Sequence, residues 1–434
     1  MSDNPSSPSP SNSGTGPVSF AEAARYWLKL GFISFGGPAG QIAIMQADCV
    51  DRHKWIGQQA FLRGLNYCMM LPGPEAQQLA AYIGWRMHGL KGLLTAGIAF
   101  LLPGALLMIA LAWIAAAHGD NTWVIKIFNG IKPCVIGIIV FAVYRIGKKT
   151  CRYVPAVALA GAAFACLYFL KLPFPLIILS AGVLGALIPA FGSGGGHGHG
   201  EVEDDPGEHA RAPKQPFRRL AMILILFAAL WAAPIALLIA VTGPAPFLAV
   251  ANLFTTAAFV TFGGAYAVLP YIAEAGVAAK WIAPGDMLNG LALAETTPGP
   301  LILVTTYVGY FAGWNGAASA GLAPGIAGVL GGLLVTYVTY LPCFMFIILG
   351  APYVDAVQKN ARARHALAGI TTAVVGVIFN LAVFLGGAVL VTDAGFNWIG
   401  AAAAAASLAL LLTGRVPIHV LVGIGAVLGA VGIL

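Results

Sequence analysis

Cys68-Met-Met-Leu-Pro-Gly-Pro-Glu-Ala-Gln-Gln-Leu-Ala-Ala-Tyr82 is an apolar run interrupted by Pro72-Gly73-Pro74. The chain repeats the device at Leu293-Ala-Glu-Thr-Thr-Pro-Gly-Pro-Leu-Ile-Leu-Val-Thr-Thr-Tyr307, around Pro298-Gly299-Pro300. A proline within a helix removes a backbone donor and clashes with the preceding turn. The second proline of each motif suits the first turn of a new helix. Each motif therefore stops one helix and starts another. In apolar surroundings the freed backbone groups need protein or a polar cavity around them. Paired interruptions in two halves of one chain point to the substrate site of a transporter.

The composition around these motifs is that of an integral membrane protein. Apolar residues make up 59% and charged residues 9% of the 434 residues, with a mean hydropathy of +0.85. Soluble domains carry about 25% charged residues. A net charge of +7 does not indicate a nucleic-acid partner, because the basic residues are scattered through short loops instead of gathered on one face. Six cysteines form no CxxC pair and read as small buried hydrophobes. No cofactor and no metal site is expected. The N-terminal stretch lacks the apolar core of a signal peptide, and residues 1–25 are expected to be a disordered cytoplasmic tail.

Apolar segments long enough to cross a bilayer run over 27–47, 58–85, 92–117, 123–147, 153–170 and 173–191. A polar linker follows over 192–218, with His197, His199 and an acidic run at Glu201–Asp205. It reads as a solvated cytoplasmic connection with no fixed ligand geometry. An extra segment spans 219–241. Six more follow at 246–273, 286–313, 321–350, 365–391, 396–413 and 415–433.

Those six answer the first six. Ser34-Phe-Gly-Gly37 corresponds to Thr261-Phe-Gly-Gly264, 227 residues later, and Trp55-Ile56 to Trp281-Ile282 at 226. Leu102-Pro103, Gly130-Ile131 and Gly137 correspond to Leu341-Pro342, Gly369-Ile370 and Gly376, all at 239. An ordered series with slowly changing offsets marks an internal duplication. The expected fold is all-α, with about 13 transmembrane helices in two inverted repeats, 26–191 and 242–434, and helices broken at the Gly-Gly and Pro-Gly-Pro motifs. Seven crossings would separate the repeat starts, and an odd number inverts the second. Loop charge follows the positive-inside rule with the N-terminus cytoplasmic and the C-terminus outside. One loop disagrees, because Arg52, Lys54 and Arg63 would lie outside. Either they attract an anion or the broken segments are re-entrant. Tryptophans near the segment ends, among them Trp27, Trp123 and Trp398, read as interfacial anchors.

The helix starts at Pro74 and Pro300 would offer unpaired N–H groups and a positive dipole end, a natural oxyanion site. Candidate contacts there are Pro72, Gly73, Pro74, Gln78, Thr296, Thr297 and Gly299. The second set of breaks adds Ser34, Gly36, Gly37, Thr261, Gly263 and Gly264. For the Gly-Gly pairs, close helix packing is the competing reading. Carboxylates at membrane depth are costly and suggest function. Glu75 and Glu295 are the candidate proton carriers, since a low dielectric favours the protonated acid; Glu75 could instead simply suit a helix N-terminus. Lys132, Arg63 and Asn66 could balance the charge of an anion.

Ser34-Phe-Gly-Gly-Pro38, Asp51-Arg-His-Lys-Trp55 and Leu71-Pro-Gly-Pro-Glu-Ala76 followed by Gln78, with Phe262-Gly-Gly264 and Thr297-Pro-Gly-Pro300 in the second half, resemble the chromate ion transporter (CHR) family in its two-domain form. The resemblance covers nearly the whole chain. It implies efflux of chromate across a bacterial inner membrane, with chromate resistance, driven by proton exchange. Sulfate is the natural competitor. The lipid bilayer surrounds the protein, and a homodimer remains open. Neither a dinucleotide signature nor a Walker A sequence is present, so neither chromate reduction nor ATP drive is expected. A sulfate carrier that takes chromate by mimicry and an anion channel are the alternatives, with a membrane-embedded enzyme less supported.

Overall fold

A computed structural model describes residues 18–35, 37–188, 217–351, 354, 360–392 and 395–433. The N-terminal 17 residues, Gly36 and most of the His-rich linker lie outside the described residues.

The chain is an all-α multi-pass membrane protein. Its first half contains α1 (Phe20–Ile33), α2 (Gly37–Met45, continued by a π turn over Gln46–Arg52), α3 (Gln58–Met70) and α4 (Glu75–Ala117). There follow α5 (Thr122–Thr150), α6 (Val154–Tyr168) and α7 (Phe174–Leu187). The connecting helix α8 (Phe217–Thr242) leads to α9 (Phe247–Val260), α10 (Leu269–Ala278), α11 (Pro284–Thr296) and α12 (Val304–Asn315). The second half ends with α13 (Pro324–Gly350), α14 (Ala361–Leu390), α15 (Trp398–Leu412) and α16 (Ile418–Val431). A two-residue ladder, Val391–Thr392 against Gly395–Phe396, joins α14 to α15.

The Pro-Gly-Pro motifs break helices as expected, but they also reverse them. Had 58–85 been one bent crossing, Gly64 and Tyr82 would stand far apart. Instead a Cβ on Gly64 would lie 2.3 Å from the Tyr82 ring, and one on Gly290 would lie 2.6 Å from the Tyr307 ring. Each pair straddles its motif evenly, so α3 folds back on the start of α4, and α11 on α12. Gly73 and Gly299 make the reversal possible: their φ values of 117° and 104° are open to glycine and strained for any other residue.

The first break behaves alike. The Cys49 thiol donates to the Tyr26 hydroxyl at 3.5 Å, and Trp55 packs edge-on against Tyr26, so α1 and the π turn lie side by side. In the second half α10 packs against α9. A further reversal sits inside α4 at His88 and Gly89, where the backbone leaves helical values. There Gly84 and Gly92 pack against each other's carbonyls.

These reversals leave the helices unequal. At 1.5 Å per residue, a 14-residue helix covers about 21 Å of a hydrocarbon core about 30 Å thick. Among the described residues, five helices are long and apolar enough to cross on their own: α4, α5, α8, α13 and α14. Six shorter apolar helices of 10–17 residues accompany them among the described residues.

The two halves hold each other through glycines. Gly130 and Gly137 of α5 face Gly425 of α16 and Ala404 of α15, while Gly369 and Gly376 of α14 face Ala181 of α7 and Ala160 of α6. The last two helices of each half thus pack on the long helix of the other. Small residues allow this close backbone approach, which drives helix association in lipid. Trp27, expected at an interface, is 1% exposed and belongs to the core, whereas Trp123 at 63% and Trp398 at 76% fit the anchor role.

Candidate functional site

α1 and α9 both stop because glycines follow them, and their caps share a backbone shape. Ser34 has φ −81°, ψ 72° and Thr261 has φ −81°, ψ 85°. Each exposes its carbonyl at a tip. The Gly73 N–H donates to the Thr261 carbonyl at 2.8 Å, and the Gly299 N–H donates to the Ser34 carbonyl at 3.1 Å. The tips of the two halves are thus crossed, each Pro-Gly-Pro turn bonded to the Gly-Gly break of the other half. The structure brings together the residues that the sequence singles out at both motifs, apart from Gly36, which lies outside the described residues.

The Gly73 and Gly299 amides are thus each engaged by a carbonyl of the other half. Donors without a helical acceptor lie one step on. The Gln78 N–H donates to the Pro74 carbonyl at 3.1 Å, so the N–H groups of Glu75, Ala76 and Gln77 precede the first helical bond and have no helical acceptor.

The junctions differ. Gln41 Nε2 donates to the Ser34 carbonyl of its own half at 3.1 Å and to the Gly299 carbonyl at 2.6 Å, adding a second bond across that junction. Its counterpart in the second half is Val268, which has no polar group. At the other junction Gln78 Nε2 donates to the Pro72 carbonyl at 2.7 Å, within its own turn.

Hydroxyl groups are unevenly available. Thr261 donates to Ala257, Thr296 to Ala292 and Leu293, and Thr297 to Leu293, all backbone carbonyls of their own helices. The Ser34 hydroxyl is buried without a partner, as are Gln41 Oε1, both polar atoms of Gln77, Gln78 Oε1, and the hydroxyls of Thr339 and Tyr340. Each such atom costs about 1–3 kcal/mol. Among the described residues, Asn289 Oδ1 on α11 and the hydroxyls of Tyr307 and Tyr310 on α12 are likewise buried without a partner.

Glu75 opens α4 directly after Pro74, and a Cβ on Gly264 would stand 3.8 Å from its Oε1, so its carboxylate sits at the seam between the halves. Glu295 accepts a hydrogen bond from the Tyr266 hydroxyl. Arg63 and Asn66 lie half-buried on α3. Lys132 is not among the tip contacts. It donates to Asn129 Oδ1 at 3.0 Å and lines a separate cavity of about 380 Å³ with Asn129, Gly285, Val389 and Asn397.

Residues that sequence reasoning missed include Gln41, Thr339, Tyr340, Tyr266 and a third carboxylate, Glu274, which accepts from Asn380 Nδ2 at 2.5 Å. Among the described residues no group of three His, Cys, Asp or Glu side chains could hold a metal.

The family model described as "Chromate transporter" matches residues 21–186 and 248–430, once in each half. A "Chromate transport protein" of Pseudomonas aeruginosa is 32% identical over 83% of this chain and 80% of its own length. A "Probable chromate transport protein" of Synechococcus elongatus is 29% identical over 85% of each. A "Chromate transport protein" of Cupriavidus metallidurans is 27% identical over 84% and 82%. No solved structure matches the chain.

Proposed function

This chain belongs to the chromate transporter family, and from that premise we propose that it is a secondary active transporter. In this reading it exports chromate from a bacterial cytoplasm in exchange for protons and confers chromate resistance. The observation that carries the reading is the crossed pair of tips, with unpartnered polar atoms and two carboxylates gathered around them. The dianion would bind at the start of α4 and its counterpart before α12, among Ser34, Gly37, Gln78, Thr261, Gly263, Gly264, Thr296 and Thr297. Glu75 and Glu295 would carry the proton. Arg63 and Asn66 would approach from α3, and Lys132 would meet the anion in its own cavity instead of at the tips. Gly73 and Gly299 close the centre by bonding across it, which favours a carrier over a continuous pore. Sulfate has the same charge and shape, and a pocket of this kind would discriminate only modestly against it. Chromate uptake into inside-out vesicles is expected to require a pH gradient and to collapse with an uncoupler. Uptake indifferent to the gradient would remove the proton from the cycle.

Orientation follows from the reversals. A helix pair folded on itself returns to the side it left, so only α4 beyond Gly89, α5, α8, α13 and α14 change sides. Three of these five separate the starts of the two halves, and an odd number makes the repeats, 26–191 and 242–434, inverted. Loop charge supports this path. With the N-terminus cytoplasmic, Arg52, Lys54, Arg86 and Lys91 join Arg145, Lys148, Lys149 and Arg152 inside, as the positive-inside rule asks. Lys280 then stands outside, a smaller exception than Arg52, Lys54 and Arg63 together. The two chain ends fall on opposite faces under this path, as they do with thirteen crossings. Tags at both termini are expected to be accessible from opposite sides of the membrane; tags on one side would exclude the inversion.

A further inference from the structure

The first junction of α4 with α13 holds a group of neutral side chains with unused hydrogen-bonding capacity. Gln77 is wholly buried, and Thr339 and Tyr340 are each 2% exposed. The Gln77 carboxamide, the Thr339 hydroxyl and the Tyr340 hydroxyl have no partner among the described residues.

Their placement is fixed by glycines. A Cβ on Gly97 would meet the Phe344 ring at 2.4 Å and Gln77 Nε2 at 2.9 Å, so α13 and the start of α4 close on the same point. A Cβ on Gly73 would meet Cys343 Sγ and Gln78 Nε2, both at 2.9 Å. Thr339 and Tyr340 lie one turn before Cys343 and Phe344, on the same sides of α13. Pro342 lies within that helix and leaves the Val338 carbonyl without its usual donor. Buried polar groups in native proteins are nearly always paired, and three on facing elements beside a helix start call for a polar guest.

We propose that Gln77, Thr339 and Tyr340 form a cation-free wall of the substrate site and hold a tetrahedral dianion by hydrogen bonds from a carboxamide and two hydroxyls. This rests on the oxyanion reading above and assigns it three specific ligands. Every oxygen of a dianion such as chromate or sulfate accepts hydrogen bonds. Neutral donors bind it without a counter-charge, which allows release when the tips move. The N–H groups of Glu75, Ala76 and Gln77, which have no helical acceptor, complete the wall from the α4 start.

The test separates a ligand from an idle polar group, because removing either leaves stability at or above wild type but only removing a ligand changes affinity. Gln77→Leu, Thr339→Val and Tyr340→Phe each keep the shape and remove the polar atom. If the atoms are merely unsatisfied, the variants melt at the wild-type temperature or above it and bind as wild type. As ligands, they should melt in chloride at or above the wild-type temperature but need about tenfold more chromate or sulfate for the same stabilisation. The measurement is thermal unfolding of the purified full-length protein in nanodiscs, titrated with chromate, sulfate and chloride. If Gln77→Leu does not accumulate, Gln77→Met takes its place. A wild type stabilised by a dianion alongside three variants with unchanged affinity overturns the wall alone. A wild type that responds to neither dianion overturns the wall and the transport reading together.

Discussion

Glu75→Gln is expected to abolish proton-driven chromate transport while sparing chromate-for-chromate exchange, and Glu295→Gln is expected to do the same. The carboxylate of Glu75 lies at the seam, facing Gly264 of the other half. Taking up a proton there changes the local charge by one unit at the place where the halves must part. Glutamine keeps the size and the hydrogen bonding, and at position 295 it can still accept from the Tyr266 hydroxyl. It cannot take up or release a proton. Net flux against a chromate gradient should fall by on the order of 10²-fold or more. Counterflow, which needs only binding and movement of the tips, should persist. Proteoliposomes loaded with chromate and given or denied a pH gradient make the comparison. Gradient-driven flux at wild-type level in both variants would end the assignment of these two acids.

Gly376→Val should prevent the protein from accumulating in the membrane. A Cβ at Gly376 would stand 1.9 Å from the Ala160 carbonyl, a backbone atom that cannot rotate away. Overpacking costs about 1–3 kcal/mol where side chains can shift, and here two helices must separate. The corresponding Gly137 is less tight, at 2.7 Å from the Ala404 carbonyl, so Gly137→Val should do less harm. Gly387 on the same helix as Gly376 meets nothing within 4 Å, and Gly387→Ala should be neutral or gain up to about 1 kcal/mol from helix propensity. Melting temperatures and membrane yield of the three variants give the order. Equal yields for Gly376→Val and Gly387→Ala would contradict the packing of α14 on α6.

The breaks themselves were legible because Pro-Gly-Pro in an apolar run has few uses. The reversal was not, since the same three residues serve a kink or a hairpin tip. What decides between them is the fit of Gly64 to Tyr82 and of Gly290 to Tyr307, contacts between residues 17 or 18 positions apart that no local pattern displays. The paired motifs of the two halves could be read from the sequence. The exchange of final helices between halves could not, because glycines at 130 and 369 do not name the surface they meet. At the site, Glu75, Gln78 and the tip residues stood out as polar interruptions. Gln41 is an isolated polar residue inside an apolar helix, and Thr339 and Tyr340 belong to the run Thr336-Tyr-Val-Thr-Tyr340, which carries no motif. Glu274 was lost for a simpler reason: the apolar segment was ended at 273, which placed the acid in a loop instead of on α10 beside Asn380. Lys132 was read by its depth in α5, but its side chain reaches toward Asn129 and Gly285.

Gln41 has a consequence for the resting balance of the cycle. Two identical halves, turned over with respect to each other, would exchange roles between the inward-open and outward-open forms, and the two forms would be equally populated. One additional hydrogen bond across one junction only, from Gln41 to the Gly299 carbonyl, where the other half has Val268, would break that degeneracy by about 0.5–1.5 kcal/mol. The idle protein should therefore wait with one mouth open in roughly 2- to 13-fold preference to the other.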